Sequence, residues 1–186
     1  MEHREQLTAE DIDELFRTAS RRIFRVESLP EYNVPGDLAI FAHFTRGVPL
    51  LPFEHSGVKD WLDKIHRICE RGISFQRLRL IPRLITPYLR YEIDWYYSHS
   101  KPYGEDTRFY PLTSMPQSIK SDFYVFDDAK VVHIEYNARC DWTGSYLETN
   151  DTRANELING SSVIWNNATK LEDFLARYRS LTVELE

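Results

Sequence analysis

The sequence predicts an α/β (α+β) fold in which a mixed, largely antiparallel sheet is flanked by helices. Amphipathic segments with helical spacing alternate along the chain with short segments of period two. The clearest predicted helix leads directly into a strand whose two faces are both partly apolar, which is typical of an α/β layer. From Ser121 onward, consecutive short strands are joined by tight turns, which favours antiparallel pairing. Because the chain of 186 residues contains no linker or internal repeat, residues 1–186 are expected to form a single domain.

The first helix and the first strand are predicted close to the N-terminus. In "TAEDIDELFRTAS", Thr8 precedes an apolar helical face, and Asp11 completes a variant of the capping box. In "IFRVES", apolar residues alternate with Arg25 and Glu27. The alternation predicts a half-buried strand, with the two charged side chains on the face opposite the apolar one.

Two further helices and a second strand follow. "GDLAIFAHFTRG" is predicted to be a short helix that Asp37 caps and Gly47 stops, and "LLPFEHSG" is predicted to be an irregular loop. "VKDWLDKIHRICERG" has a continuous apolar stripe, and Gly72 supplies a left-handed C-terminal cap. "ISFQRLRLIP" then changes to period two, which predicts a central strand with Arg77 and Arg79 on one face and leucines on the other.

The middle of the chain contains one more helix and a run of strands. "TPYLRYEIDWYYSHS" is predicted to be a helix that begins with Thr86 as its cap and Pro87 in its first turn, although its aromatic density leaves a strand open. "TRFYPL" is predicted to be a short strand. "SDFYVFDDAKVVHIEY" predicts a hairpin in which Asp127 and Asp128 form the turn by bonding their own backbone, and "GSYLETN" predicts a third antiparallel strand.

The C-terminal part is predicted to be helical. Asp151 is expected to cap one helix, and Thr169 with Glu172 forms a second capping box ahead of "LEDFLARYRSL". Trp165 and Ala168 are expected to pack back onto the sheet.

The composition excludes several classes of protein. A net charge of −6 argues against bulk affinity for nucleic acid, although a local anion site and a single-strand stacking groove stay open. No segment has the run of about 20 apolar residues that a membrane helix needs, and the N-terminus does not read as a secretion signal. The two isolated cysteines indicate neither a disulfide framework nor a zinc knuckle, so we expect a cytoplasmic protein without a cofactor.

The order of several blocks resembles a family. "LFRTASRRIFRVESLPEY", "HFTRGVPLLP", "WLDKIHRICERGISFQRLRLI", "TPYLRYEIDWYYSHSKPYGEDTRFY" and "SDFYVFDDAKVVHIEY" are similar, in that order, to blocks of the DUF6879 family over about Leu15 to Tyr178. The resemblance implies an actinobacterial source and gene neighbours that are often helix-turn-helix regulators. It implies no established activity.

The hairpin and the helix containing "VIWNNATKL" also resemble, more remotely, one half of a phospholipase D-like fold. That family carries a His-x-Lys-x4-Asp pattern on the strand that leads into the acidic turn. With the final aspartate placed on Asp128, Ser121 and Phe123 occupy the histidine and lysine positions. With it placed on Asp127, Lys120 and Asp122 occupy them. Because neither register keeps the nucleophilic histidine, the resemblance implies a fold without the family's phosphodiesterase chemistry.

The candidate catalytic residues in the hairpin are His133, Glu135 and Asp122. His133 and Glu135 share one face of a strand and could be metal ligands or a base with its orienting carboxylate. A metal site needs further ligands, and no second cluster has a suitable spacing. A structural polar pair across strands is therefore the favoured interpretation.

The arginines of the central strand are the stronger candidates. Guanidinium groups that project from a buried sheet must be paired or must hold an anion. Two alternatives follow, an internal salt-bridge network and a cleft that binds a phosphate or carboxylate. The residues predicted to line or support such a cleft are Arg77, Arg79, Arg90, Tyr88, Glu92 and Glu105.

Two functions of different classes fit these observations. The first is a non-catalytic ligand-binding or regulatory domain, with a small anionic ligand or a helix-turn-helix regulator as partner. For a protein partner, the aromatic residues of "DWYY" are expected to be exposed. The second is an enzyme of a specialised pathway that uses the Arg/Glu/Tyr cleft on a phosphate- or carboxylate-bearing substrate.

Overall fold

The computed structural model describes residues 5–48 and 56–183, and within these ranges eight strands form one mixed sheet. The strand order is β1-β7-β6-β5-β2-β3-β4-β8. The pairs β2–β3 and β3–β4 are parallel, and the other neighbours are antiparallel, which confirms the predicted mixed, largely antiparallel sheet. The strands are β1 (Glu5–Leu7), β2 (Arg22–Glu27), β3 (Ser74–Ile81), β4 (Glu105–Pro111), β5 (Phe123–Phe126), β6 (Lys130–Tyr136), β7 (Trp142–Leu147) and β8 (Thr169–Lys170).

Helices cover both faces of this sheet. They are α1 (Ala9–Thr18), α2 (Pro35–Thr45), α3 (Ser56–Glu70), α4 (Pro87–Tyr91), α5 (Tyr97–Ser100), α6 (Asp151–Asn167) and α7 (Leu171–Val183). A π-helical turn (Glu92–Tyr96) joins α4 to α5, and short 3₁₀ segments lie at Lys101–Tyr103, Leu112–Ser114 and Gln117–Ile119. None of the helices in the described ranges is both long and apolar enough to cross a membrane.

Each face of the sheet has its own core. On one face, Phe24, Leu78 and Phe123 pack against α6, where Trp165 and the partly buried Ala168 contact the sheet as predicted. On the other face, α1 and α3 cover the aromatic residues near the start of β3, while α2, α4 and α7 form a second aromatic cluster. The second face also holds the buried charges described below.

Several local predictions are confirmed. Thr8 caps α1, and both hydrogen bonds of its capping box with Asp11 are present. Gly72 ends α3 with a positive φ of 81°, and Thr86 caps α4 with Pro87 in the first turn. These signals depend on neighbours within a few residues, so they can be recognised without the tertiary structure.

The predicted half-buried character of β2 is wrong. Arg25 and Glu27 are 3% and 7% exposed, because β2 lies between β3 and β5 and helices cover both of its faces. The alternation of side chains was predicted correctly, but the charged face is an internal one. Most of the predicted loop "LLPFEHSG" lies outside the described residues.

Three predicted helix caps are also wrong. Helix α2 begins at Pro35 with Val34 at the capping position, so Asp37 lies inside its first turn. The side chain of Asn150, one residue before Asp151, caps α6 by accepting from the backbone N–H of Arg153 at 3.0 Å. Thr169 lies in β8, because this short segment pairs with β4 before α7 begins.

The acidic hairpin turn forms as predicted, with φ of 54° at Asp127 and 58° at Asp128. Two left-handed residues in succession suit the twist of a tight hairpin. The carboxylate of Asp127 accepts from the backbone N–H groups of Ser20, Arg21 and Arg22 at 2.9, 2.7 and 3.1 Å. The prediction that it bonds its own backbone is therefore wrong, because the antiparallel pairing of β5 with β2 brings the α1–β2 loop beside the turn.

Candidate functional site

Three neighbouring strands place charged side chains on one face of the sheet. Arg25 and Glu27 alternate with apolar residues on β2, and the parallel register sets them beside Arg77 and Arg79 of β3. Glu105, at the start of the next parallel strand, is on the same face. The sheet thus brings opposite charges together in a buried layer.

Each guanidinium of this layer has a carboxylate partner. Arg77 donates to Glu105 Oε1 at 2.7 Å and also binds Glu27. Arg79 is fully buried and donates to Glu92 Oε2 from Nη2 at 2.7 Å and from Nε at 3.2 Å. Of the two alternatives that the sequence leaves open for the buried arginines, the structure contains the internal salt-bridge network.

Arg25 extends the network towards the hairpin. Its Nη2 lies 3.2 Å from Asp122 Oδ2 and 3.1 Å from Tyr136 Oη. The carboxylate of Asp122 also accepts from Ser28 N at 2.9 Å and from Tyr32 Oη at 2.6 Å. Asp122, one of the candidate catalytic residues, therefore joins the hairpin to the segment after β2 through a full set of hydrogen bonds.

The buried network carries more negative than positive charge. Three guanidiniums face four buried carboxyl groups, and the seven side chains are Arg25, Arg77, Arg79, Glu27, Glu92, Glu105 and Asp122. An anion entering this layer would have to compete with carboxylates that already hold the guanidiniums. The excess of carboxyl groups favours a neutral or positively charged ligand instead.

Two of these carboxyl groups have opposite pKa shifts. Burial alone would raise the pKa of Glu27, but Arg77, Arg25 and Arg79 overcome this effect and lower it to about 2. Burial raises the pKa of Glu92 to about 7, with a further contribution from the charge of Glu27 and against the attraction of Arg79. Glu92 is therefore the group of the network that exchanges a proton near neutral pH.

A cleft of about 430 Å³ opens over this network. In the described part of the chain, its lining contains two arginines, Arg25 and Arg77, and three carboxylic acids, Glu27, Asp37 and Glu92. The rest of the lining is largely aromatic and comprises Tyr32, Trp61, Tyr88, Tyr91, Tyr96, Tyr124 and Tyr136. This volume is in the range of sites for small organic molecules.

Hydrogen bonds and ring contacts hold the aromatic walls in place. Tyr88 Oη donates to Asp37 Oδ2, and Trp61 Nε1 donates to Tyr96 Oη, both at 2.8 Å. The guanidinium carbon of Arg25 lies 4.6 Å from the centre of the Tyr124 ring. The cleft is therefore built from fixed side chains that tertiary contacts orient.

Some buried polar atoms around the cleft have no partner among the described residues. They are Nη1 of Arg25, Oε2 of Glu27 and Oη of Tyr91. Buried polar groups are nearly always hydrogen-bonded, so unsatisfied ones indicate a place where a further polar group is accommodated. Their clustering at one cleft is the strongest local indication of a binding site.

His133 and Glu135 lie on the opposite face of the sheet from the cleft. The side chain of His133 is buried against Tyr146, with the ring centres 4.6 Å apart, and its Nε2 lies 3.2 Å from Glu148 Oε2. Glu148 follows β7, so His133 forms a cross-strand polar pair, as predicted. The sheet separates His133 and Glu135 from Arg77 and Arg79, whose side chains lie on its other face.

Arg90 is also outside the cleft. It is exposed on α4 and lines a second pocket with Phe109 and Phe174. Tyr88, two residues earlier on the same helix, faces the cleft, because residues two apart lie on different sides of a helix. The structure therefore brings together Arg77, Arg79, Glu92, Glu105 and Tyr88 around one layer but leaves Arg90 apart.

The expected aromatic surface is likewise absent at "DWYY". Tyr97 is fully buried, Tyr96 is 9% exposed and Trp95 is half-buried. Sequence reasoning also missed Arg25, Glu27 and the aromatic wall. The signal available for Arg25 and Glu27 was the alternation of charged and apolar residues in "IFRVES", which is the same period as the alternation of arginine and leucine in "QRLRL".

Comparisons with solved structures show the fold. The chain is similar to a phospholipase D family member, Nuc from Salmonella typhimurium, with a TM-score of 0.50, 9% identity, and coverage of 84% of this chain and 86% of that one. It is also similar to the archaeal chromatin protein TrmBL2, whose structure shows a novel mode of DNA binding, with a TM-score of 0.46 and 12% identity. That match covers 87% of this chain but only about half, 49%, of TrmBL2.

The first of these similarities confirms the phospholipase D-like fold. A comparison with curated protein sequences finds no match. The model of a family described as a domain of unknown function, DUF6879, matches residues 10–176, and the chain belongs to that family.

Proposed function

We propose that the chain is a cytoplasmic, non-catalytic ligand-binding or regulatory domain, and that its ligand occupies the cleft above the buried charge network. The observation that carries this proposal is the group of unpartnered buried polar atoms on Arg25, Glu27 and Tyr91 at an aromatic-lined cleft. A small organic molecule would satisfy these atoms and cover the rings at the same time.

The hairpin supports a non-catalytic role. In one register of the phospholipase D pattern, Phe123 replaces the lysine, and its fully buried ring packs in the core on the α6 side. In the other register, Asp122 replaces the lysine and is used up in hydrogen bonds to Arg25, Ser28 and Tyr32. Neither arrangement offers a nucleophile and a cation to a phosphodiester.

The charge of the cleft narrows the class of ligand. The sequence led us to expect an anion, but the lining has three carboxyl groups against two guanidiniums, and both guanidiniums are paired. Aromatic walls with excess negative charge suit an organic cation, because the ring faces and the carboxylates both attract it. The proposed ligand is therefore a small aromatic amine that also carries a hydroxyl group, because an ammonium group can bond the unpartnered oxygen of Glu27 but cannot accept from Arg25 Nη1.

Two probes with the same ring and opposite charge would test this assignment. Tyramine should raise the unfolding temperature in a concentration-dependent manner, since a ligand that binds the folded state stabilises it, whereas 4-hydroxyphenylacetate should not. Calorimetric titration would give the affinities.

Asp37→Asn is the informative variant, because the amide keeps an oxygen that can accept from Tyr88 while the negative charge is lost. We expect tyramine affinity to fall at least about fivefold, the lower end of typical coupling effects. Asp151→Asn, at the exposed start of α6, is the matched control. Preferential binding of the carboxylate, or equal tyramine affinity in the wild type and Asp37→Asn, would refute the assignment.

An enzyme that uses the same cleft is the second candidate, and Glu92 is the observation that favours it. A carboxyl group with a pKa of about 7 can accept and donate protons at neutral pH. Mass spectrometry of a bound amine after prolonged incubation would detect turnover. An enzyme should lose turnover in Glu92→Gln, whereas the binding domain should leave the ligand unchanged.

A regulatory role also calls for a protein partner. A helix-turn-helix regulator is the partner we propose, and co-purification of the two proteins expressed together is the direct test. Because the residues of "DWYY" are largely buried, substitutions there are not suited to mapping such an interface.

A further inference from the structure

A second pocket lies where the parallel strands β3 and β4 end. Ile81 and Pro111, the last residues of these strands, line it together with residues of α4 and α7. Its volume is about 530 Å³, and among the described residues it shares no lining residue with the cleft described above. The carboxyl ends of parallel strands are a common position for ligand sites in α/β sheets.

The inner part of this pocket is apolar and fixed. The rings of Phe109 and Phe174 stack with their centres 4.0 Å apart, and Tyr178 continues the stack at 6.1 Å from Phe174. Phe109 is 2% exposed and belongs to the aromatic cluster of the second face. An apolar chain or ring of a ligand would therefore meet a preformed surface.

The rim of the pocket is positively charged. Its lining includes three arginines, Arg83, Arg90 and Arg177, and no acidic residue among the described part of the chain. The charge of Asp94 reaches this region, where it contributes to the raised pKa of Tyr178, and the side chain of Arg90 is hydrogen-bonded to Tyr178. The chain as a whole has a net charge of −6, so the positive charge of these guanidiniums beside an apolar surface is opposite in sign to the charge of the whole chain.

We propose that this pocket binds an organic anion with an apolar tail. The apolar part of the ligand lies against Phe109 and Phe174, and its carboxylate or similar head group meets the arginines of the rim. Guanidinium groups suit this role because they bind planar oxyanions in a bidentate manner and are always charged. The proposal does not depend on the cleft, whose charge is of the opposite sign.

The test uses octanoate and octan-1-ol as probes, which differ in the charge of the head group but share the chain. We expect calorimetry and the ligand-induced shift of the unfolding temperature to show binding of octanoate at least about tenfold tighter than that of octan-1-ol. A tenfold difference corresponds to about 1.4 kcal/mol. Addition of salt should weaken the binding of octanoate, because the guanidiniums are solvent-exposed.

Two variants locate the site. Arg83→Gln should weaken octanoate binding at least about fivefold, while Arg67→Gln, an exposed arginine on α3, should leave it unchanged. Thr113→Trp, which places a large ring at the exposed rim, should block both probes.

The proposal is wrong if octanoate does not bind at millimolar concentration or if octan-1-ol binds equally well. It is also wrong if Arg83→Gln retains the affinity of the wild type. Asp37→Asn should leave octanoate binding intact, so this experiment and the tyramine experiment can fail separately.

Discussion

Replacing Arg79 by methionine is the most direct test of the buried charge network. Arg79 is fully buried, donates two hydrogen bonds to Glu92 and a third from Nη1 to the carbonyl of Leu29 at 2.6 Å. Methionine keeps an unbranched apolar chain but removes the charge. The substitution therefore leaves the Glu92 carboxylate buried without its cation.

The expected loss follows from the cost of breaking a buried ion pair. Removing one partner of such a pair costs about 3–5 kcal/mol. Uptake of a proton by the stranded carboxyl group accounts for only part of this loss, because the pKa of Glu92 is already about 7 in the wild type, so that complete protonation at pH 7.5 adds about 1 kcal/mol. For a domain of this size, about 4 kcal/mol lowers the unfolding temperature by about 8–16 °C.

A double-mutant cycle measures how strongly the two side chains depend on each other. Its unfolding free energies come from denaturant titrations at pH 7.5 of the wild type, Arg79→Met, Glu92→Gln and the double variant. The double variant should recover at least about 2 kcal/mol of the loss, because no unpaired charge is then buried. Arg17→Met is the control, since its pair with Glu14 is solvent-exposed and its removal should leave the unfolding midpoint unchanged within error.

Two results would refute this reasoning. One is an Arg79→Met protein that unfolds within about 1 kcal/mol of the wild type, well below the cost of a stranded buried charge. The other is a double variant that is no more stable than Arg79→Met alone. The first result would mean that Arg79 contributes little to folding, and the interpretation of this guanidinium as a ligand-binding group would regain support. The second result would mean that the loss in Arg79→Met does not come from a stranded Glu92 carboxylate.

Three further predictions concern Glu92, the hairpin turn and two glycines. Because the folded-state pKa of Glu92 is raised, the stability it contributes is complete below about pH 4.5 and is lost as the pH rises through about 7. Between pH 5 and 8 the unfolding free energy of the wild type should fall by about 2–3 kcal/mol more than that of Glu92→Gln, and parallel profiles would contradict this. Asp127→Ala should destabilise by about 1–2 kcal/mol more than Asp128→Ala, which has the same left-handed backbone but lacks the three backbone partners, and equal denaturation midpoints would contradict this. Gly104→Ala should unfold at a lower temperature than Gly47→Ala, because an added Cβ at Gly104 would lie 2.6 Å from a cysteine Sγ, whereas one at Gly47 meets no atom of the described residues within 4 Å beyond its chain neighbours; the reverse order would show that the contact at Gly104 relaxes.

The sequence predicts those parts of the fold that local interactions determine. Thr8 and Thr86 begin helices, and Gly72 ends one, because capping hydrogen bonds and backbone conformation involve only the nearest residues. The period-two pattern likewise located β3 and set Arg77 and Arg79 on one face, since alternation along a strand is geometric.

Properties that depend on packing between distant segments were not predictable in the same way. The pattern of "IFRVES" is the same whether its polar face meets water or a second layer of helices, so the burial of Arg25 and Glu27 could not be read from it. The capping hydrogen bonds of Asp127 come from residues 105 to 107 positions earlier in the chain. Such contacts follow from strand order, which no local signal specifies.

In the candidate site, too, some residues could be predicted from local sequence and others depend on the packing of distant segments. Arg77, Arg79 and Glu92 were identified because charges next to apolar strand positions need partners. Arg90 was grouped with them because it is close in sequence, but its position on the helix directs it to the second pocket. The aromatic wall is assembled from separate elements, as Trp61 on α3 and Tyr136 on β6 illustrate, and has no sequence signature.

The fold and the charge distribution together determine where function should be sought. A phospholipase D-like topology alone does not imply phosphodiester chemistry, because the hairpin positions that would carry it are occupied by Phe123, which packs in a core, or by Asp122, which ties down a loop. The two pockets differ in the sign of their charge, one with an excess of carboxyl groups and the other with arginines around an apolar floor. A ligand suited to one pocket is electrostatically disfavoured in the other. A molecule with an amine at one end and a carboxylate at the other would therefore place its amine in the first pocket or its carboxylate in the second, but not both at once. Selective loss of amine binding in Asp37→Asn and of carboxylate binding in Arg83→Gln would show that both sites operate on one chain.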